Sequence, residues 1–545
     1  MTVSRRDFVA TTAAGLATAA CMPSHTLAAL GRAGRYDPTW ESLRNYIAPQ
    51  WYRDAKFGIW AHWTAQCVPE QGDWYARNMY LQGDAHYEHH LKTYGHPSQT
   101  GFMELDHLWK AESWDPDGLI ALYKKAGAQY FVALANHHDN FDTFDSAHHA
   151  WNSVNIGPRK DIVGGWAKAA RAQGLRFGVS NHSAHAWHWL QPAYGYDGEG
   201  PRAGVRYDAA TLTKADGQGK WWEGLDPQEL YTGPNIVLPE GIRGAAAIRR
   251  WHEENDRPWF EDPPANNPGF VRKWFLRCQD LIDKYRPDLV YFDNTGLPLG
   301  QAGLDIAAHY YNVSREWNGG RVEAVINCKR LSAEQRPALV EDIERGFTDE
   351  MRPLPWQTDT CIGQWHYRRS VFEEHRYMGA TTVITRLCDI VSKNGNLLLS
   401  VPLRGNGTID ADEREILQQL AAWMSRNGEA IFGTRPWRVF GEGPTQVKAG
   451  MFGEEKAAAF TGEDIRFTKK GKTLFAIALG WPPSGTLTLK SLATGTPGSV
   501  ERVELLGSAA PVSFTRDPAG LKISLPPALP GEHAFAFRIT GQDLT

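Results

Sequence analysis

At 545 residues the chain exceeds what one ordinary core accommodates, so a large domain with at least one smaller module is expected. A net charge of −4 supplies no basic field for nucleic acid, and beyond the N-terminus no uninterrupted apolar stretch is long enough to span a bilayer. The 22 tryptophans suit core packing and flat apolar ligand faces alike, which points to an uncharged or small partner.

The first residues read as a targeting segment. Ser4-Arg5-Arg6-Asp7-Phe8 precedes an apolar, small-residue run over residues 9–20, the form of a twin-arginine export signal, so residues 1–30 are set aside as a signal. A periplasmic or secreted protein is expected. Cleavage is expected near Ala28 or Ala29, and Cys21, after Thr18-Ala19-Ala20, fits a lipid-attachment box poorly, so soluble export is preferred to a lipid anchor. Cys67, Cys278, Cys328, Cys361 and Cys388 remain, odd in number and without close pairs, unlike a disulfide framework or a zinc site.

Through residues 36–435, apolar runs alternate with helical periodicity and end in polar residues. Residues 56–60 (KFGIW) lead into His62-Trp63. Residues 116–127 (PDGLIALYKKAG) open with Pro in a first turn, put Leu119, Leu122 and Tyr123 on one face and stop at Gly; the apolar run from Tyr130 then ends in His137, His138 and Asp139. A helix over 162–173 precedes residues 175–180 (LRFGVS), which lead into Asn181-His182, and a helix over 271–285 precedes 289–292, which lead into Asp293-Asn294. Residues 324–327 and 396–401 are predicted as further strands, and 410–427 as a closing helix. Buried parallel strands with polar groups massed at their carboxyl ends predict an α/β fold, a (β/α)8-like barrel carrying a catalytic site. Residues 197–268, rich in Gly, Pro and Trp, are expected as an insertion among the loops of the active face. From Trp437 the helical period fades; residues 473–479, 486–489, 499–506 and 533–539 read as short strands between turns, so 436–545 is predicted to be a C-terminal β-sandwich.

His62, His137, His138 and Asp139 at strand ends leave a metal-dependent hydrolase or epimerase open. Against it, adjacent side chains on a strand point to opposite faces, so His137 and His138 cannot both bind one metal without a bend.

Five blocks decide further: residues 51–63 (WYRDAKFGIWAHW), 126–141 with the His-His-Asp, 285–293 (YRPDLVYFD), 391–399 (VSKNGNLLL) and 427–433 (NGEAIFG). In order and spacing they resemble the signature blocks of the retaining α-L-fucosidases, glycoside hydrolase family 29. The resemblance implies a barrel fused to a β-sandwich that removes terminal α-L-fucose from a fucosylated oligosaccharide or polysaccharide by double displacement, with neither a metal nor another cofactor. It places the nucleophile at Asp293, whereas Asp288 precedes the strand and lies at the opposite end of the barrel. It assigns His62, Trp74, His137 and His138 to the sugar, with Asp73 standing where a Glu is common. Asn181 and His182 end another strand and are expected near the sugar; Asn327 or Arg330 is expected as a loop contact, and Trp365 with His366 as an aromatic wall. Glu344 falls where the family carries its acid/base, with Glu341, Asp342 and Glu350 as competitors; in an extended segment Asp342 and Glu344 share one face and Glu341 points away. Gln357 replaces a Glu often found after that Trp, which together with Asp73 leaves a catalytically inactive fucoside-binding protein as an alternative.

Overall fold

Strands buried on both faces must be apolar throughout or find polar partners inside a barrel, and both solutions occur here. In the computed structural model, which describes residues 34–545, eight parallel strands close in chain order: β1 (Phe57–Ala61), β2 (Tyr130–Asn136), β3 (Arg176–Asn181), β4 (Leu289–Thr295), β5 (Val325–Lys329), β6 (Val340–Asp342), β7 (Trp356–Cys361) and β8 (Gly395–Ser400). Pairing of Ile59 with both Phe131 and Leu399 closes the ring. The expected barrel is therefore present, with the first four strands, β5 and β8 where the sequence placed them. β6 and β7 escaped prediction because their segments, VED and WQTDTC, carry acids and amides into the barrel instead of an apolar run. Gln357 there accepts from Tyr52 and Tyr130 and donates to Asp342 at 2.7 Å, which satisfies its buried amide.

Helices α1 (Pro116–Lys125), α2 (Ile162–Ala172), α3 (Pro268–Tyr285), α4 (Gln301–Trp317), α5 (Ala380–Ser392) and α6 (Ala411–Asn427) are the longer outer elements after β1 that flank the strands. Asp115 caps α1 through the Gly118 N–H, and Asp410 and Glu413 form a capping box on α6. No described helix is long and apolar enough to cross a membrane. The export signal and Cys21 lie outside the described residues. All five described cysteines are buried and free.

Beyond the barrel, β9 (Arg435–Glu442), β10 (Ile465–Lys470), β11 (Thr473–Ala478), β13 (Arg502–Leu505) and β16 (Phe535–Thr540) form a five-stranded antiparallel sheet, faced by β12 (Thr486–Leu489), β14 (Phe514–Asp517) and β15 (Gly520–Ser524). The period-2 alternation of β11 explains how this sandwich docks. Leu474, Ala476 and Ala478 enter the sandwich core, while Phe475 and Ile477 join the barrel core. Arg466 on β10 reinforces the join by reaching Asp389 of α5 at 2.6 Å.

The turn after β2 is held from outside by Arg277 of α3, whose buried guanidinium grips Asp142 through Nε at 3.0 Å and Nη2 at 2.6 Å and meets the Asn140 side chain at 2.6 Å. Removing one member of such a pair strands a buried charge. Arg277→Met is expected to lower unfolding stability by about 3 to 5 kcal/mol, measured by urea denaturation, and Arg277→Met with Asp142→Asn is expected to recover a large part of that loss.

Candidate active site

Inward alternation along β4 brings Tyr291, Asp293 and Thr295 to the mouth of the barrel, and the register with β5 shifts between Tyr291 and Thr295, which re-aims this strand end. One oxygen of Asp293 touches the Lys329 ammonium at the end of β5; the other lies 3.2 Å from His138 Nε2 and 3.2 Å from His182 Nδ1. The same ammonium donates to Glu344 Oε2 at 2.5 Å. Burial pushes the Asp293 carboxyl up, but Lys329, His182 and His138 outweigh it and hold the group well below the usual carboxylate range. At Glu344 burial wins: assisted by the Asp293 charge and opposed by Lys329, it raises the carboxyl above its ordinary value. Two carboxyls that share one cation thus have opposite proton affinities.

His137 and His138 both face this cavity, their rings 4.3 Å apart. The expectation from strand alternation is corrected here: β2 ends at Asn136 and the chain bends, reaching a left-handed φ of 62° at Asn140, so successive rings share a wall. Nitrogens of His137, His138 and His182 come within 4.8 Å of one another, the bend that a metal site would need. The Lys329 ammonium, already seated on the adjoining carboxylate, opposes a second cation there. Burial pushes His62, His137 and His182 down and His138 to about 4, and Lys329 already places a cation on the carboxylate that His138 and His182 face. His138 donates from Nδ1 to the His182 carbonyl at 2.9 Å, which orients the ring so that Nε2 meets Asp293. Gln66 Nε2 donates to His137 Nδ1 at 2.9 Å, which leaves His137 a donor at Nε2. That donor, on a ring that lines the cavity, fits a sugar hydroxyl.

Aromatic walls complete a cavity of about 450 Å³. Trp365 lies 4.9 Å from His62, and its loop is held by Asp73, whose carboxylate accepts from the backbone N–H groups of His366 at 2.7 Å and Trp365 at 3.2 Å. Asp73 lines the cavity as well. Trp74, left-handed at φ 67°, faces Trp259 with the ring planes 9° apart and centroids at 6.2 Å. Trp259 comes from the Gly/Pro/Trp-rich insertion, and its neighbour Glu261 anchors it by accepting from the Thr295 N–H at 2.8 Å.

Asn181 requires correction. On β3 it points out of the barrel, where its side chain meets Ser183, Trp274 and Cys278, while the next residue, His182, points in. Asn327 is likewise spent inside the barrel on the Val340 carbonyl, whereas Arg330 reaches the cavity. Among the acid/base competitors, Glu341 turns away to Arg336 and Arg352, and Glu350 does not line the cavity. Asp342 lies deeper, hydrogen-bonded to Asp359; burial raises Asp342 to about 7 and Asp359 well above its usual range. Gln357 sits beneath them, not in the cavity wall, so its amide removes no proton donor from the substrate's side. Sequence reasoning missed Lys329, Tyr291, Asp359, Trp259, Met451 and Phe452. Position at a strand end was the available signal for Lys329; nothing local marked the last two.

Residues 25–429 match the Alpha-L-fucosidase family model and residues 459–540 the Alpha-L-fucosidase C-terminal domain model. The chain belongs to the α-L-fucosidases, family 29 of the glycoside hydrolases. Tissue alpha-L-fucosidase of Bos taurus is 28% identical over 520 residues, covering 93% of this chain and 92% of the relative, and that of Homo sapiens is 26% identical over 525 residues, covering 93% and 92%. The crystal structure of Thermotoga maritima alpha-fucosidase with a mechanism-based inhibitor is 26% identical with a TM-score of 0.67, covering 93% of this chain and 100% of that one.

In this fucosidase, Lys329 lowers the proton affinity of Asp293 and opposes the rise at Glu344. Lys329→Met is expected to move both limbs of the kcat/KM pH profile to higher pH, because the ionised Asp293 and the protonated Glu344 are each reached at a higher value. A profile lowered in height with both limbs in place would mean that Lys329 only shapes the cavity.

Proposed function

We propose that this fucosidase releases terminal α-L-fucose from fucosylated glycans with retention of configuration, Asp293 acting as nucleophile and Glu344 as acid/base. The carrying observation is the shared ammonium: both carboxylates touch Lys329 Nζ, which keeps the two acids close together at the cavity, as double displacement with its carboxyls about 5 to 5.5 Å apart requires. The ionised Asp293 attacks the anomeric carbon while Glu344 passes its proton to the departing oxygen. Forming the ester then consumes the Asp293 charge that had been raising Glu344, and Lys329 remains to lower it. Glu344 is thereby left ionised, ready to take a proton from the water that opens the ester. The neutral histidines hold hydroxyls, and the tryptophans cover the apolar parts of the ring. The fucose identity itself rests on family membership.

Asp293→Gly is expected to abolish hydrolysis, with azide restoring turnover of a nitrophenyl fucoside to give the β-configured azide. Glu344→Ala is expected to spare the first step on that activated substrate, accumulate the fucosyl-enzyme and yield the α-configured azide. Near wild-type turnover by Asp293→Gly, or one product configuration from both variants, would sink the assignment.

With the Lys329 ammonium serving as the cation of this site, dialysis against a strong chelator is expected to leave the rate unchanged, whereas His137→Ala or His138→Ala loses contacts worth about 1 to 3 kcal/mol each. A chelator-sensitive rate restored by zinc would return the metal reading. Export rests on Arg5-Arg6 and the apolar run that follows; retention of Arg5→Lys, Arg6→Lys protein in the cytoplasm would support it.

A further inference from the structure

The connection between β9 and β10 leaves the sandwich and runs across the barrel mouth beside Glu344. Phe347 and Gly450 exchange backbone hydrogen bonds of 3.1 and 2.9 Å, the Phe452 N–H donates to the Glu344 carbonyl at 2.9 Å, and the Glu454 N–H donates to the Arg345 carbonyl at 3.2 Å. Glu454 then buries its carboxylate between Arg345 at 2.5 Å, Thr360 Oγ1 at 2.6 Å and Arg386 at 2.6 Å. A segment tied down this firmly nevertheless presents a large apolar ring to solvent: Phe452 is 52% exposed and lines the cavity. Its φ of 55° is left-handed, as is the 49° of Arg330, whose Nε lies 3.2 Å from Met451 Sδ. Non-glycine residues persist in that region only where their surroundings over-determine them, and such residues gather at ligand-binding positions.

We propose that Phe452, Met451 and Arg330 form the subsite for the first sugar of the leaving group. This rests on the assignment of Glu344 as acid/base. The departing oxygen must lie at the Glu344 carboxyl, so the ring attached to it extends toward the solvent side of that residue, where Phe452 is fixed to the Glu344 backbone. An exposed aromatic face beside a guanidinium suits a pyranose, whose C–H face covers the ring while its hydroxyls accept from arginine. A lipid chain would need a longer apolar surface than one ring and a thioether. The C-terminal module is in this way part of the enzyme's choice of glycan.

The test compares α-L-fucosyl fluoride, which has no sugar aglycone, with whichever of a panel of fucosylated disaccharides the wild type cleaves fastest. The quantity read is the ratio of kcat/KM on the disaccharide to that on the fluoride. Phe452→Ala and Arg330→Ala are each expected to lower this ratio about tenfold, and Phe452→Trp to keep it. Removing a half-exposed ring opens no buried cavity, and circular dichroism with fluoride turnover reports that each variant is folded. An unchanged ratio in both alanine variants overturns the subsite while leaving the fucosidase assignment intact. Failure of the wild type to cleave the fluoride overturns that assignment, and the subsite with it.

Discussion

One buried ammonium organises the end of this barrel. Lys329 is surrounded by Asp293, Glu344 and Asp359; burial lowers its proton affinity, and the three carboxyls more than reverse that, so it stays charged. A carboxylate placed there alone would take up a proton instead of paying the desolvation cost of ionisation. With the lysine present, the group in contact with two imidazoles as well, Asp293, is held below the usual carboxylate range, and Glu344, with fewer partners, is raised. The difference follows from unequal hydrogen bonding around a common cation, since both acids touch it and Asp293 alone also meets the two imidazoles.

Holding that arrangement requires support from four directions. Arg277 fixes the turn that swings His137 and His138 onto one wall. Glu261, carried by the insertion, ties Trp259 to the strand end that bears Asp293. Asp73 fastens the loop of Trp365. Glu454, from the sandwich side, clamps the loop of Glu344 through Arg345. Each device sets a charged side chain against backbone or against polar and charged partners around the cavity, which is how a cavity built from loops acquires the rigidity of the strands beneath it.

The sequence made the barrel legible where strands were apolar and silent where they were not. β1 to β4 announced themselves through apolar runs ending in polar residues, and those same endings named His62, His137, His138, His182 and Asp293. β6 and β7 carry Asp342, Gln357 and Asp359 inward, and polar inward residues erase the periodicity by which a strand is recognised. Asn181 and His182 were indistinguishable in sequence because a strand's last residue has no continuing alternation to fix its face; the structure sends one out and the other in. His137 and His138 show the opposite error, in which alternation was extended past the point where the strand stops. Phe452 and Glu454 lie more than a hundred residues after Glu344, so only the docking of the sandwich brings them to the site.

Asp342 and Asp359 complete the electrostatic picture. Burial raises both of these deeper carboxyls and Glu344, while Asp293 alone of the four acids around Lys329 is held below its usual range. Its carboxylate faces the cavity. Glycosidic cleavage builds positive charge on the anomeric carbon and ring oxygen, and a preformed negative environment stabilises that charge without reorganising. The imidazoles of His62, His137 and His182, whose basicity burial lowers, meet hydroxyls without adding a cation beside Asp293.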